Sequence, residues 1–556
     1  MCGIAGLLGR EDKGLVGRMG DAIAHRGPDG DGTWTDDGVT LGHRRLSIID
    51  HEGGAQPMES HDGRFCVVYN GEVYNHRLLR AELESAGCTF RSDHSDTEVL
   101  LEGYRHWGPS VVERLEGMFA FALWDTQERT LFIARDPFGI KPFFYACAGD
   151  DWIFASEQKA LFVHPDLAAV PDIDRVKERA ALEYLTGQAT LFAGVHQLPP
   201  GSWALLRPGQ TAPCHVAWTP YYHVPAESFA HVDDAVRAIK ERFVASVEEQ
   251  LMADVPLGVI LSGGLDSAAV AAVHQGLSDA PIHTFTIAES EEVEDFQAAR
   301  RLSEHLGTVH HESFFDLDDV VAGMPSYTWH NENINYTEFF FQPLFESMRR
   351  DVTVGLCGQG SDELWGGYDR YKAPLDLARE RIGRIRDAAP SHAESLCTDV
   401  ALSHSSGSAL AEHDQLGGQL NNFQLRLVDR NSMRSSLEVR VPFLSRPQHA
   451  ASRAVAWGDK LRDGVEKWIL RKALTDVGLP DDLVWRKKVP AGRATGPGVM
   501  KRFEAQATKW VGDAAMRDHA LRGSFARPAE QLVYDLWHEL FIEGADPRKT
   551  TLEDLL

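Results

Sequence analysis

The chain has 556 residues, of which 43% are hydrophobic and 25% charged, and its formal charge is −26. That length exceeds what one core holds, so two or more domains are expected, and the acidic balance argues against a nucleic-acid or anionic-membrane partner, either of which needs a basic face. No apolar stretch approaches the roughly 18–20 residues of a membrane span, and seven cysteines without a CxxC pair supply neither a disulfide framework nor a zinc site.

From residue 1 to about 165 the pattern is of short strands: Ile4–Leu8, Leu46–Ile49, Phe65–Tyr69, Met118–Leu123 and Thr130–Ala134. Asp29-Gly30, Asn70-Gly71 and Pro137-Phe138-Gly139 punctuate them as turn signals, and helices are predicted over Arg77–Ala86 and Asp96–Trp107. Such alternation suggests sheets packed face to face with helices outside. Residues 198–230 are rich in proline, glycine and polar groups and read as a connection between halves. Beyond 233 the rhythm becomes βαβ: a strand at Val255–Leu261, a helix at Asp266–Gln275, a strand at Ile282–Ile287, a helix at Asp295–Leu306 and a strand at Val352–Cys357. That order implies a parallel sheet with ligands at the strand C-termini. Residues 388–420 look polar and loop-rich, and the last sixty or so carry no motif.

Two strings carry chemistry. Met1-Cys2-Gly3-Ile4 has no basic start of the signal-peptide kind; removal of Met1 leaves Cys2 with a free α-amine, a suitable base for its own thiol. Ser262-Gly263-Gly264-Leu265-Asp266-Ser267 follows an apolar strand and opens a helix, where glycines let backbone N–H groups approach a pyrophosphate. It lacks the lysine of a GxxxxGK[ST] loop, which disfavours γ-phosphate transfer.

With His25-Arg26-Gly27-Pro28-Asp29-Gly30, Arg45-Leu46-Ser47-Ile48, Tyr69 to Asn75 and Ser95-Asp96-Thr97-Glu98, the first half resembles the class II glutamine amidotransferases. The resemblance implies an N-terminal-nucleophile αββα sandwich in which Cys2 attacks glutamine and Asn70 and Gly71 form the oxyanion hole. Arg45 then holds the α-carboxylate, Asp96 the α-ammonium, with Glu72, Leu46 and Ile48 nearby. A plainer reading makes Asn70-Gly71 a hairpin turn and Asp96 a helix N-cap.

The second half, with Gly358-Gln359-Gly360-Ser361-Asp362-Glu363 and Glu466-Lys467-Trp468, resembles the ATP pyrophosphatases. The resemblance implies ATP as substrate, pyrophosphate contacts from Ser262, Gly263, Gly264, Asp266 and Ser267, and nucleoside contacts from Ile260, Ile287, Cys357 and Gly358. It implies Mg2+ on Asp266 and Asp362, and Lys467 stabilising the charge of adenylation.

Taken whole, the chain resembles the glutamine-hydrolysing asparagine synthetases, with a glutaminase domain at 1–197, a connection at 198–230 and a synthetase domain at 231–556. The implied reaction joins aspartate, ATP and glutamine-derived ammonia through β-aspartyl-adenylate, in a cytoplasmic enzyme that pairs as a homodimer. Arg135–Pro142 and Ser156–Leu161 are expected near the domain boundary. Three departures concern the acceptor: Gln359 where the family carries Glu, Phe339 where some members place Arg, and Ser445 where Asp usually follows Val-Pro-Phe-Leu. An amide cannot act as a base. Three readings therefore stand: asparagine synthesis, amidation of another carboxylate such as one in specialised metabolism, and a binding protein that has lost synthesis. Retention of Cys2 favours ammonia as the nucleophile, and the intact Ser262–Ser267 loop with Asp266 and Asp362 argues against the last.

Overall fold

The structure is a computed structural model and describes residues 2–209, 216–388, 393–416, 418–487, 495–518, 521 and 524–555. Twelve strands build its first half: β1 (Gly3–Leu8), β2 (Gly30–Asp36), β3 (Val39–Arg45), β4 (Met58–Glu59), β5 (Phe65–Val73), β6 (Gly117–Asp125), β7 (Thr130–Arg135), β8 (Phe144–Ala148), β9 (Asp151–Ala155), β10 (Val195–Gln197), β11 (Ser202–Leu206) and β12 (Thr219–Pro220). They form two antiparallel six-stranded sheets, in the orders β10-β8-β9-β1-β3-β2 and β12-β11-β7-β6-β5-β4.

Side-chain alternation decides what each face meets. On β5, Cys66 and Val68 join Ile4 and Leu8 of β1 in the seam between the sheets. Phe65, Val67 and Tyr69 point the other way and pack on the helices His76–Ser85 and Asp96–Trp107. The outer face of the first sheet packs on the helix Lys13–Asp21 through Leu15, Val16 and Met19. The layers are thus αββα, as expected.

Three details differ from the sequence expectation. Leu46–Ile49 is irregular chain beyond the end of β3 and joins no ladder. Asn70-Gly71 is no hairpin turn; both lie within β5, opposite Ala120 and Phe119 of β6. The stretch 198–230 supplies β11, which pairs with β7, so it extends the second sheet as well as leaving it.

The second half carries five parallel strands: β13 (Leu257–Ile260), β14 (His283–Ala288), β15 (Val309–Phe314), β16 (Val354–Leu356) and β17 (Glu438–Arg440), in the order β15-β14-β13-β16-β17. Helices Leu265–Gly276 and Glu294–Leu306 are the crossovers of the βαβ units. The polar 388–420 stretch is helical where described, at Ala393–Ser403 and Gly407–Leu416, because Leu396, Val400 and Leu410 supply buried faces. In the C-terminal region the helix Pro528–Phe541 clasps both halves, with Trp537 on Phe192 (4.8 Å between centroids) and Phe541 on Trp329 (4.8 Å).

The two halves meet through buried charge. Arg26 donates to Glu157 (2.8 Å) and to Asp429 (2.9 Å), while Arg430 pairs with Glu157 (3.1 Å) and Glu332 (2.9 Å). Lys159 bonds Glu157, and its backbone N–H donates to Glu332. Burial alone would raise Glu157, yet Lys159, His25 and Arg430 hold its carboxyl well below the usual carboxylate range. Both expected boundary strings are there: Asn421 donates to the Phe138 carbonyl (2.8 Å), and Gln158 N–H to Glu332 (2.9 Å).

Candidate active sites

Cys2 sits at the head of β1, only 8% exposed. Its backbone nitrogen, which becomes the α-amine once Met1 is removed, donates to Asn70 Oδ1 at 3.0 Å. The Sγ lies 3.9 Å from the Leu46 carbonyl. Burial pushes the Cys2 thiol up, against the pull of the positive N-terminus and of the Leu46 bond. The thiol therefore needs a base beside it to act as a nucleophile.

Asn70 is fully buried, and its Nδ2 has no hydrogen-bond partner among the described residues. A buried donor without a partner costs stability, and the same amide accepts from the Cys2 nitrogen through Oδ1. Gly71 is required by packing: a Cβ there would stand 2.1 Å from the Met118 carbonyl of β6. Strand β5 thus brings an amide donor and a bare backbone to the nucleophile.

The expected glutamine contacts lie around this point on three segments. Arg45 ends β3, and its Nη2 and Nη1 donate to the carbonyls of Asp50 (2.7 Å) and His51 (2.8 Å). Leu46 and Ile48 are buried. Asp96 is the first residue of its helix, after Ser95, rather than the N-cap. Its Oδ2 accepts from the Tyr69 hydroxyl and the Val73 N–H, both at 3.0 Å. Burial raises Asp96; burial, then Glu438 and Asp96, raise Glu72 well above the ordinary range. Arg440 stands 3.7 Å from Glu72 and does not offset its burial, so two buried acids remain that suit an incoming ammonium group.

In the second half, β13 runs into the loop before the helix Leu265–Gly276. The Ser262 and Ser267 hydroxyls are 3.0 Å apart, and Ser267 also accepts from Ser262 N–H (3.1 Å). Gly263 has φ 74°, and a Cβ on it would stand 2.1 Å from the Asp295 carbonyl, so only glycine fits. Ile260, Ile287, Cys357 and Gly358 all line one cleft with Ser262, Asp266, Ser267 and Asp362.

Lys467 Nζ lies 2.7 Å from both Asp266 oxygens and 2.6 Å from Asp362 Oδ1, and it is 1% exposed. Ser361 completes the group by donating to Asp266 (2.8 Å). Lys467 reaches this point from a left-handed backbone (φ 54°) ahead of the helix Trp468–Ala473. Two carboxylates converging beside a phosphate loop form a donor set that suits Mg2+, with phosphate oxygens and water as the remaining ligands.

Sequence reasoning missed the residues on the far side of this loop. Arg486 donates to the Gly263 carbonyl (2.9 Å) and pairs with Asp295 (2.5 Å), and Lys487 lines the same recess with Lys467. Their basic run follows Val484-Trp485 with no motif to mark it.

The acceptor departures sort themselves. Ser445 caps the helix Arg446–Ala454 by accepting from Gln448 N–H, a task Asp performs equally well. Phe339 is buried against Tyr327 and Gly323, away from the cleft; Phe340 and Phe341 line it instead. Gln359 does face the cleft, and its Nε2 donates to Gln424 Oε1 (2.6 Å), whose own Nε2 donates to the Tyr368 hydroxyl (2.7 Å).

This geometry defines a class: an N-terminal-nucleophile amidotransferase fused to a parallel α/β nucleotide-binding domain. Residues 1–221 match the glutamine amidotransferase domain model, and residues 238–540 match the asparagine synthase model. The chain is 32% identical to asparagine synthetase [glutamine-hydrolyzing] 3 of Bacillus subtilis (strain 168), over 90% of this chain and 88% of that protein. It is 33% identical to a putative asparagine synthetase [glutamine-hydrolyzing] of Mycobacterium tuberculosis (strain ATCC 25618 / H37Rv), covering 97% and 96%. Asparagine synthetase B of Escherichia coli (strain K12) is 29% identical, covering 94% and 86%. The chain belongs to the asparagine synthase family and is a ligase enzyme.

Proposed function

We propose that the protein makes asparagine from aspartate, ATP and glutamine. The observation that carries this reading is one guanidinium: Arg26 Nε donates to the Cys2 carbonyl (3.1 Å) while Nη1 and Nη2 hold Asp429 of the synthetase half. The glutaminase nucleophile and the synthetase domain are thereby anchored to one buried group, as delivery of ammonia between them requires.

In the first half the α-amine of Cys2 takes the thiol proton, and Sγ attacks the glutamine amide carbon. Asn70 Nδ2 and the Gly71 backbone stabilise the oxyanion; ammonia leaves with a proton, and water then cleaves the thioester to glutamate. Arg45 and Asp96, with Glu72, orient the amino-acid end. In the second half the side-chain carboxylate of aspartate attacks the α-phosphorus of ATP and pyrophosphate departs. Asp266 and Asp362 would hold Mg2+, which would neutralise phosphate charge. Lys467, drawn off the aspartates, would meet the negative charge that develops at the α-phosphorus. Ammonia then attacks the acyl carbon, the C–O bond to AMP breaks, and the proton shed by the nitrogen passes to the departing phosphate or to water. Gln359 cannot take the proton, so its role is to accept a hydrogen bond and orient.

A second reading, amidation of a different acid, is favoured by one feature. Among the described residues lining the cleft there is no Lys, Arg or His, whereas Phe340, Phe341 and Leu344 form an apolar wall. Pyrophosphate release with ATP, ammonium and a panel of carboxylic acids decides between the two. Aspartate as best substrate is expected; a preference for an uncharged or apolar acid overturns the first reading, and no release with any acid overturns both.

A further inference from the structure

Three residues before β13 the synthetase half reaches into the glutaminase domain. The Asp254 N–H donates to the Ile48 carbonyl at 2.8 Å. Its Oδ2 accepts from the Asp50 N–H at 2.8 Å and bonds His94 Nε2 at 2.7 Å. The His94 N–H in turn donates to Asp50 Oδ2 at 3.3 Å, which closes a ring of three residues from two domains.

Each glutaminase partner adjoins an expected glutamine anchor. Asp50 carries the carbonyl that holds Arg45, and His94 lies two residues before Asp96. Asp50 itself has φ 47°, a left-handed conformation that costs a non-glycine residue roughly 1–3 kcal/mol. The loop is therefore held in place by its partners: Gly53 N–H on Asp50 Oδ1 (2.7 Å), Arg45 on its carbonyl, and Asp254 on its N–H. Without Asp254 the loop loses the acceptor of the Asp50 N–H and the partner of His94 Nε2; between the two arms there remain His94 N–H on Asp50 Oδ2 and Gln56 Nε2 on Thr97 Oγ1 (3.3 Å).

On its other side Asp254 leads straight into β13, which pairs with β14 and β16 and ends two residues before Ser262. A strand paired on both edges transmits a displacement at one end to the other.

We propose that Asp254 is a positioning residue of the glutamine site, supplied by the synthetase domain, and that through β13 it couples glutamine binding to occupancy of the phosphate loop. The proposal rests on the two half-reactions assigned above. It makes ammonia release responsive to a loaded synthetase site, and linkage requires the coupling to act in both directions.

The test follows glutamate release against glutamine concentration, with and without ATP and aspartate, and ammonium-dependent pyrophosphate release alongside. In the unsubstituted enzyme ATP with aspartate should lower the glutamine KM. Asp254→Asn should raise that KM at least about fivefold with kcat little changed, and should abolish the nucleotide effect. Ammonium-dependent pyrophosphate release should stay within about twofold of the unsubstituted enzyme. His94→Ala removes the same contact from the other domain and should raise the KM similarly, with the double variant no worse than either single one. Unchanged glutamine KM in both variants overturns the proposal, as does a double variant whose effects multiply. Loss of ammonium-dependent pyrophosphate release from the unsubstituted enzyme would instead overturn the synthetase assignment, so the two failures are distinguishable.

Discussion

The two sites are prepared in opposite ways. Around Cys2, groups are left wanting: among the described residues Asn70 Nδ2 has no partner, and Asp96 and Glu72 sit buried with raised carboxyls. Around the phosphate loop, Lys467 satisfies Asp266 and Asp362. The first site stores its binding energy as unmet hydrogen bonds and charge, ready for an amino acid of complementary polarity. On the proposed reading, the second exchanges an internal ion pair for nucleotide and cation before it works. The glutamine anchors are then built by folding and tuned through Asp254, whereas the nucleotide side waits on loading.

The largest test of this contrast is Cys2→Ala. It should lower glutamine-dependent synthesis by roughly 10³-fold or more, while ammonium-dependent synthesis persists; loss of both breaks the separation of the sites. Lys467→Ala should lower ammonium-dependent synthesis by on the order of 10²-fold, with glutamate release in the absence of nucleotide intact. An unaffected rate of synthesis would make Lys467 a structural counter-ion only.

Acid distinguishes the same regions more gently. Asp96 and Glu72 are raised, so they should protonate as pH falls toward the ordinary carboxylate range from above, and glutamine KM should rise there. Glu157 and Glu332 are lowered, Glu332 by Arg430 and Lys159 against its burial, so the stability they contribute is complete above about pH 4.5 and is lost only as pH falls below it. Glutamine KM measured against pH, beside denaturant unfolding at the same pH values, should show the binding defect while the interface still holds; a KM flat down to pH 4.5 contradicts the unmet-charge account. The smallest effect is Ser445→Asp, which should change stability by less than about 0.5 kcal/mol and leave acceptor preference unaltered, since both residues cap a helix.

Much of this was legible in one dimension because short motifs are local. The helix Asp96–Trp107 appears where its periodicity and its acidic first turn place it. The phosphate loop follows its strand because Gly263 alone tolerates the approach of Asp295. Asn70-Gly71 misled as a turn signal, since the same dipeptide serves wherever a neighbouring strand comes too close for a side chain. The helices within 388–420 were missed because polar residues between their buried positions mask the period.

The sequence by itself marked the candidate chemistry: a thiol at position 2, a glycine loop after a strand, and Asp266 and Asp362, each carried by its own short motif. Only tertiary structure decided which departures matter, turning Phe339 and Ser445 away from the cleft and Gln359 into it. It alone joined Asp254 to Asp50 and His94, and Arg26 to both Cys2 and Asp429. Apart from Arg26–Cys2, those contacts span 160 to 403 positions of chain, a separation over which no local propensity acts and only packing can choose the partner.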